Sequence, residues 1–124
     1  AHDDVIYVSG QIPRVGTRVI VTGRVGADVS LQQAQLAARI CVMRALALLR
    51  QSLGDLGRIR RVLRMTVYTQ SAEDFTRQSE VADAASDLLL AVLGDLGAHA
   101  RTSVGVYQLP KNASVELDLQ VAVA

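Results

Sequence analysis

The chain has 124 residues, half of them apolar, with a formal net charge of +1 and a single cysteine. This composition excludes a disordered chain, an internal disulfide and a thiolate metal cluster, and it gives no basic footprint for nucleic acid. No apolar run approaches the ~18 residues of a membrane span and no signal-peptide pattern is present, so one cytoplasmic domain over residues 1–124 is expected.

Val5-Ile6-Tyr7-Val8 is a short, wholly apolar run, the pattern of a strand covered on both faces. Ser9-Gly10-Gln11-Ile12-Pro13 breaks it, and Arg18–Thr22 predicts a second short strand between turns at Gly16 and Gly23. Ser30 followed by Gln33 forms a capping box, and neither Gly nor Pro interrupts the chain from there to Leu53. A helix is therefore predicted, ended by Gly54. Ala34, Ala37, Cys41, Ala45, Leu48 and Leu49 form its apolar side against Gln32, Gln35, Arg39 and Arg50. Cys41, with no basic neighbour one turn away on that stripe, reads as a core residue and not a nucleophile.

Arg58–Thr69 predicts a long strand, with Leu63, Met65 and Val67 on one face and Arg64, Thr66 and Tyr68 on the other. Ser71 with Asp74 predicts the cap of a second helix, whose stripe runs through Phe75, Ala82, Ala85, Leu88, Leu89 and Val92 to an end near Gly94. Asp83 and Asp87 lie one turn apart without a third metal ligand at matching spacing, so they are expected on a solvated face. His99 is expected as an incidental loop residue.

Two alternating runs fill the last quarter, one from Arg101 to Tyr107 and one from Val115 to Val123. The turn-forming Leu109-Pro110-Lys111-Asn112 between them predicts an antiparallel hairpin. Matching apolar faces puts Gly105 opposite Glu116, Ser103 opposite Asp118 and Arg101 opposite Gln120. From pattern alone, that polar face is either a solvated surface of cross-strand pairs or a site for a small anion and a water. Two helices cover only one face of such a sheet, so strands that are apolar on both faces imply a partner subunit. No phosphate-binding Gly loop, GxSxG elbow or HExxH helix is present. On that polar face Arg101 has a fork that matches a carboxylate, and Glu116 can deprotonate a water.

Three segments carry a family resemblance: SGQIP (Ser9–Pro13), ARTSVGV (Ala100–Val106) and LPKNASVEL (Leu109–Leu117). They resemble the signature segments of the YjgF/RidA family, in order along the whole chain. The resemblance implies an α+β, chorismate-mutase-like fold: a mixed sheet with two helices packed on one face, assembled as a homotrimer with pockets between subunits. It implies hydrolytic deamination of enamine or imine acids, 2-aminoacrylate-like, to 2-keto acids and ammonia, without metal or cofactor. On that basis Arg101 holds the carboxylate of a small imino acid and Glu116 orders the attacking water. Ser103, Ser9, Gly10 and Ser79 line the substrate, and neither nucleic acid nor membrane is a partner.

Three departures stand out. Ser103 replaces the Cys usual in the main deaminase branch, and Ser79 replaces an Asn. The pocket Tyr falls upstream of Ala1, where relatives carry a further strand and loop. Two alternatives follow. One is a non-catalytic trimeric carboxylate-binding or regulatory protein, which needs Arg101 but not Glu116. The other is an endoribonuclease, for which near-neutral charge and few aromatics leave little phosphate-tracking or base-stacking surface.

Overall fold

In the computed structural model, which describes residues 4–124, a mixed sheet carries two helices on one face. In chain order the elements are β1 (Val5–Gln11), β2 (Arg14–Val15), β3 (Arg18–Val19), α1 (Leu31–Leu53), β4 (Ile59–Gln70), α2 (Gln78–Leu93), β5 (Ala100–Val106) and β6 (Val115–Val123). The main sheet has the order β1-β6-β4-β5, and β2 with β3 forms a separate ribbon. β6 runs antiparallel to both β1 and β4, whereas β5 runs parallel to β4.

Local chemistry fixes α1 at both ends. Ser30 Oγ accepts from the Gln33 N–H at 3.1 Å while Gln33 Oε1 accepts from the Ser30 N–H at 2.8 Å, closing the predicted capping box. Gly54 ends the helix in the left-handed region (φ 84°), its N–H donating to the Arg50 carbonyl. The buried stripe is mostly small: Ala34, Ala37, Ala38, Cys41, Val42, Ala45, Leu46 and Leu49. Leu48, expected on it, lies 42% exposed.

The core between helices and sheet explains β4. Its inward residues are Ile59, Val62, Met65, Val67 and Thr69, facing Val123, Val121, Leu119, Leu117 and Val115 of β6. β6 keeps strict alternation, while β4 inserts an extra residue at each of two irregularities, between Ile59 and Arg61 and between Val62 and Arg64. The second turns Leu63 outward, to 38% exposure, instead of leaving it beside Met65 and Val67 as predicted.

Three other expectations are corrected. The strand predicted over Arg18–Thr22 pairs only at Arg18–Val19, because the Ile20 N–H turns to the Pro13 carbonyl (3.0 Å) and Thr22 bridges Ala113. α2 starts at Gln78, not at Ser71. The Ser71 hydroxyl donates to the Thr69 carbonyl (2.9 Å) and accepts from Gln78 Nε2 (3.2 Å), so it does not cap, and Arg77 at the N-cap makes no side-chain cap bond. The terminal hairpin does not form: β4 lies between β5 and β6.

The link from Tyr107 to Ser114 therefore crosses the end of β4, turning at Lys111 (φ 57°) and Asn112 (φ 58°). Gln70, fully buried at that end, ties it down. Its Nε2 donates to Asn112 Oδ1 (2.7 Å) and to the Gly23 carbonyl (3.1 Å), and its Oε1 accepts the Leu109 N–H (2.7 Å). One buried amide thus satisfies the backbone of two loops.

Candidate functional site

Insertion of β4 decides where the predicted residues go. Met65 pairs with Arg101 and Val67 with Ser103, which puts both β5 residues on the helix-covered face. Tyr68 pairs with Glu116 and Thr66 with Asp118, on the opposite face. The predicted pairings of Gly105 with Glu116, Ser103 with Asp118 and Arg101 with Gln120 are all replaced. Arg101 and Glu116 are also offset by the step from Met65 to Tyr68 along β4, about 10 Å. One chain does not bring them together.

Arg101 lies half-buried against α2. Its Nη1 donates to Asp83 Oδ1 (2.9 Å) and Ser86 Oγ (3.0 Å), and its Nη2 to the Ser79 carbonyl (3.5 Å). Asp83 is therefore a partner of Arg101 and not a free solvated carboxylate. Ser86 also meets His99 Nε2 at 2.9 Å, while His99 Nδ1 faces the Gly97 carbonyl at 2.5 Å. A carbonyl only accepts, so Nδ1 carries the proton and Nε2 accepts from the Ser86 hydroxyl. Ser86 then turns a lone pair to the guanidinium. His99 belongs to this network and is not incidental.

The second group gathers where β1 ends. Glu116 leans over Gly10 so closely that a Cβ there would stand 2.3 Å from its Oε2. Both border a cavity of about 230 Å³, completed by Gln11, Ile12, Arg14, Arg44 and Pro110. Ser9 lies beside Gly10, its carbonyl accepting from Gln11 Nε2 (3.0 Å). Burial, and then the neighbouring Asp118, hold the Glu116 carboxyl above its ordinary value. Asp118 in turn accepts a hydrogen bond from the Tyr68 hydroxyl at 3.4 Å.

Sequence reasoning missed Arg14, Arg44, Asp83 and Ser86. Arg44 had a signal, since it stands one turn beyond Cys41 at the edge of the buried stripe, which corrects the expectation that Cys41 has no basic neighbour there. Its charge does pull the Cys41 thiol down, but burial, aided by Glu116, outweighs it and pushes the thiol up to about 12. Cys41 is fully buried with its Sγ 3.9 Å from the Val115 carbonyl, as expected of a core residue. Among the described residues no three His, Cys, Asp or Glu side chains group as metal ligands, and no helix is long and apolar enough to cross a membrane.

Comparison with known proteins places this geometry in context. Residues 3–121 match a family model described as "YjgF/chorismate_mutase-like, putative endoribonuclease". The chain is 44% identical over 117 residues to Protein TCP17 of Trypanosoma cruzi, a match covering 94% of this chain and 73% of that protein. The crystal structure of Atu1372 from Agrobacterium tumefaciens, a protein of unknown function, is similar with a TM-score of 0.98 at 42% identity, over 100% of this chain and 79% of that one. A crystal structure from Shewanella oneidensis, named a putative endoribonuclease, reaches 0.96 at 27% identity over 99% of this chain and 82% of that one.

Proposed function

We propose that this chain, which belongs to the YjgF/chorismate mutase-like family, is a hydrolytic deaminase of small imino acids whose site is assembled from two copies. The observation that carries this is the half-buried Glu116 carboxylate, standing over a residue without a side chain at the wall of a cavity. A carboxylate whose ionised form is penalised by burial is a better proton acceptor than one in water. Arg101, already oriented by Asp83 and Ser86, supplies the bidentate fork for a substrate carboxylate. β5 is an edge strand, so a neighbouring copy packed along it would meet the Arg101 side, while Glu116 faces the side of the sheet that carries no helix. A cyclic trimer repeats one such junction at each interface. Ser103 and Ser79 would line the Arg101 half, and Ser9 and Gly10 the Glu116 half.

In the reaction, an enamine acid first takes a proton on its terminal carbon to become the imine. Glu116 removes a proton from water as the oxygen adds to the imine carbon, and the imine nitrogen takes up a proton. The resulting carbinolamine collapses: Glu116 returns its proton to the departing nitrogen, the C–N bond breaks, the hydroxyl proton passes to solvent in place of the one the imine nitrogen took up, and 2-keto acid and ammonia leave. Arg101 fixes the carboxylate throughout. A cytoplasmic setting suits the free, buried Cys41.

One observation favours a second reading, carboxylate binding without turnover: Arg101 already has an anionic partner in Asp83 at 2.9 Å. The endoribonuclease description attached to the family is disfavoured here by the +1 net charge and by only three Tyr and one Phe.

An assay that generates imino acids in situ with an amino-acid oxidase separates the readings. Keto-acid release above the uncatalysed rate is expected, slowed roughly 100-fold in Glu116→Gln with ligand affinity retained. Arg101→Ala should lose carboxylate binding in calorimetry, and Arg101→Lys should recover only part of it, because an ammonium cannot make two parallel bonds. Wild-type turnover by Glu116→Gln would sink the hydrolytic mechanism in favour of binding alone. Normal binding by Arg101→Ala would mean the site lies elsewhere.

A further inference from the structure

We propose that Arg14 and Arg44 read a second carboxylate on the substrate, so that the imino acid taken by this site is dicarboxylic. The proposal rests on the deaminase assignment above and adds a substrate class to it.

Arg14 and Arg44 come from the same chain as Glu116 and border the same cavity. Arg14 opens β2 directly after Pro13, and Arg44 projects from α1, so separate rigid elements converge on one small space. Arg44 Nη1 donates to the Arg14 carbonyl at 3.5 Å, which holds the Arg44 guanidinium at the entry to β2. Both arginines are half-buried.

Among the described residues neither makes an ion pair. The ion pairs of the described residues are Arg77 with Glu80 and Arg101 with Asp83, and Glu116, although in the same wall, makes no contact within 4.0 Å with either arginine. Two cations partly withdrawn from water with no contacting anion among the described residues are costly, and an anion entering between them relieves that cost. A guanidinium fork suits a carboxylate better than any neutral group.

The substrate's first carboxylate does not meet this need. Arg101 is assigned to it, and the carbon under attack must lie next to that carboxylate and beside Glu116. The group facing Arg14 and Arg44 is then the far end of the molecule. For a short neutral imino acid that end is a methyl or ethyl, which would leave both guanidiniums unpaired. A distal carboxylate satisfies them. The cavity volume of about 230 Å³ lies below the roughly 300–1,000 Å³ of sites for drug-sized ligands, so the ligand is a compact metabolite.

Calorimetry on the full chain with 2-oxoglutarate and 2-oxobutyrate, products of the two substrate classes, tests this. At least a tenfold preference for 2-oxoglutarate is expected, about 1.4 kcal/mol, and turnover of imines made from glutamate and alanine should show the same order. In Arg44→Gln and Arg14→Gln the preference should fall toward unity, while Arg44→Lys should keep part of it. The exposed Arg50→Gln serves as a control with the wild-type ratio, and a melting curve on each variant establishes that it is folded. Equal binding of the two keto acids by the wild type overturns the inference and leaves the deaminase assignment standing. So does a preference that survives the Arg14→Gln, Arg44→Gln double variant. Binding of neither keto acid overturns both.

Discussion

At Glu116, stability and activity pull in opposite directions. Burial and Asp118 raise its pKa in the folded chain, so the folded form holds its proton to higher pH than the unfolded form does. Its stabilising contribution is complete below the unfolded value and is lost as pH rises through the folded value. At neutral pH the ionised carboxylate is therefore a burden on the fold, of the kind sites carry for function. Glu116→Gln removes the charge and keeps the shape. The variant slowed in hydrolysis should thus melt higher than wild type near pH 7, with the gap closing toward about pH 4. Thermal melts across that range check it, and a Glu116→Gln that melts lower at neutral pH would show that its carboxylate is held by favourable contacts. Glu116 and Arg101 were legible in the sequence through the family resemblance of the segments that carry them, since by alternation alone their strand face also reads as a solvated surface. Arg14 and Arg44 were not, because nothing in a linear pattern says that the residue after Pro13 meets one in the middle of a helix.

The two helices differ in how they begin, and that difference has a measurable consequence. α1 starts with a reciprocal cap in which both Ser30 and Gln33 satisfy free N–H groups, whereas α2 starts at Gln78 without one. Ser30→Ala should lower stability by about 1 kcal/mol, read as a shift in denaturant midpoint with unchanged slope. A shift within error would mean that packing of the alanine-rich stripe alone holds the first turn. Caps are local, and for that reason α1 could be read from the chain to within a residue. Strand neighbours are not local. Alternation identified the inward face of β6 correctly, but it is silent on which strand lies beside it. The short link after Tyr107 suggested β5, and the structure inserts β4. Likewise the inward positions 59, 62, 65, 67 and 69 of β4 obey no single period, because two irregularities reset the register. Leu63 could be placed only by knowing the register against β6.

Across the whole molecule, the separation of Arg101 from Glu116 becomes the most demanding prediction. Sheet pairing puts them on opposite faces of one chain, so a site using both must take them from different copies. In a cyclic trimer each interface then holds Arg101 of one subunit and Glu116 of the next. Arg101→Ala and Glu116→Gln homotrimers are each expected to be nearly inactive, since every interface lacks one group. Unfolded together in equal amounts and refolded, the two variants assort at random. An interface is intact when its arginine comes from the Glu116→Gln chain and its glutamate from the Arg101→Ala chain, which happens for roughly a quarter of interfaces. Imine hydrolysis by the mixture should therefore recover to about a quarter of the wild-type rate, while a simple mixture of folded homotrimers stays inactive until subunits exchange. Were the site contained within one subunit, no mixing could restore it, because every chain in the mixture carries a defect. A refolded mixture as inactive as its parents, with mixed trimers demonstrated by mass spectrometry, would rule out the shared site and leave Arg101 and Glu116 to separate roles.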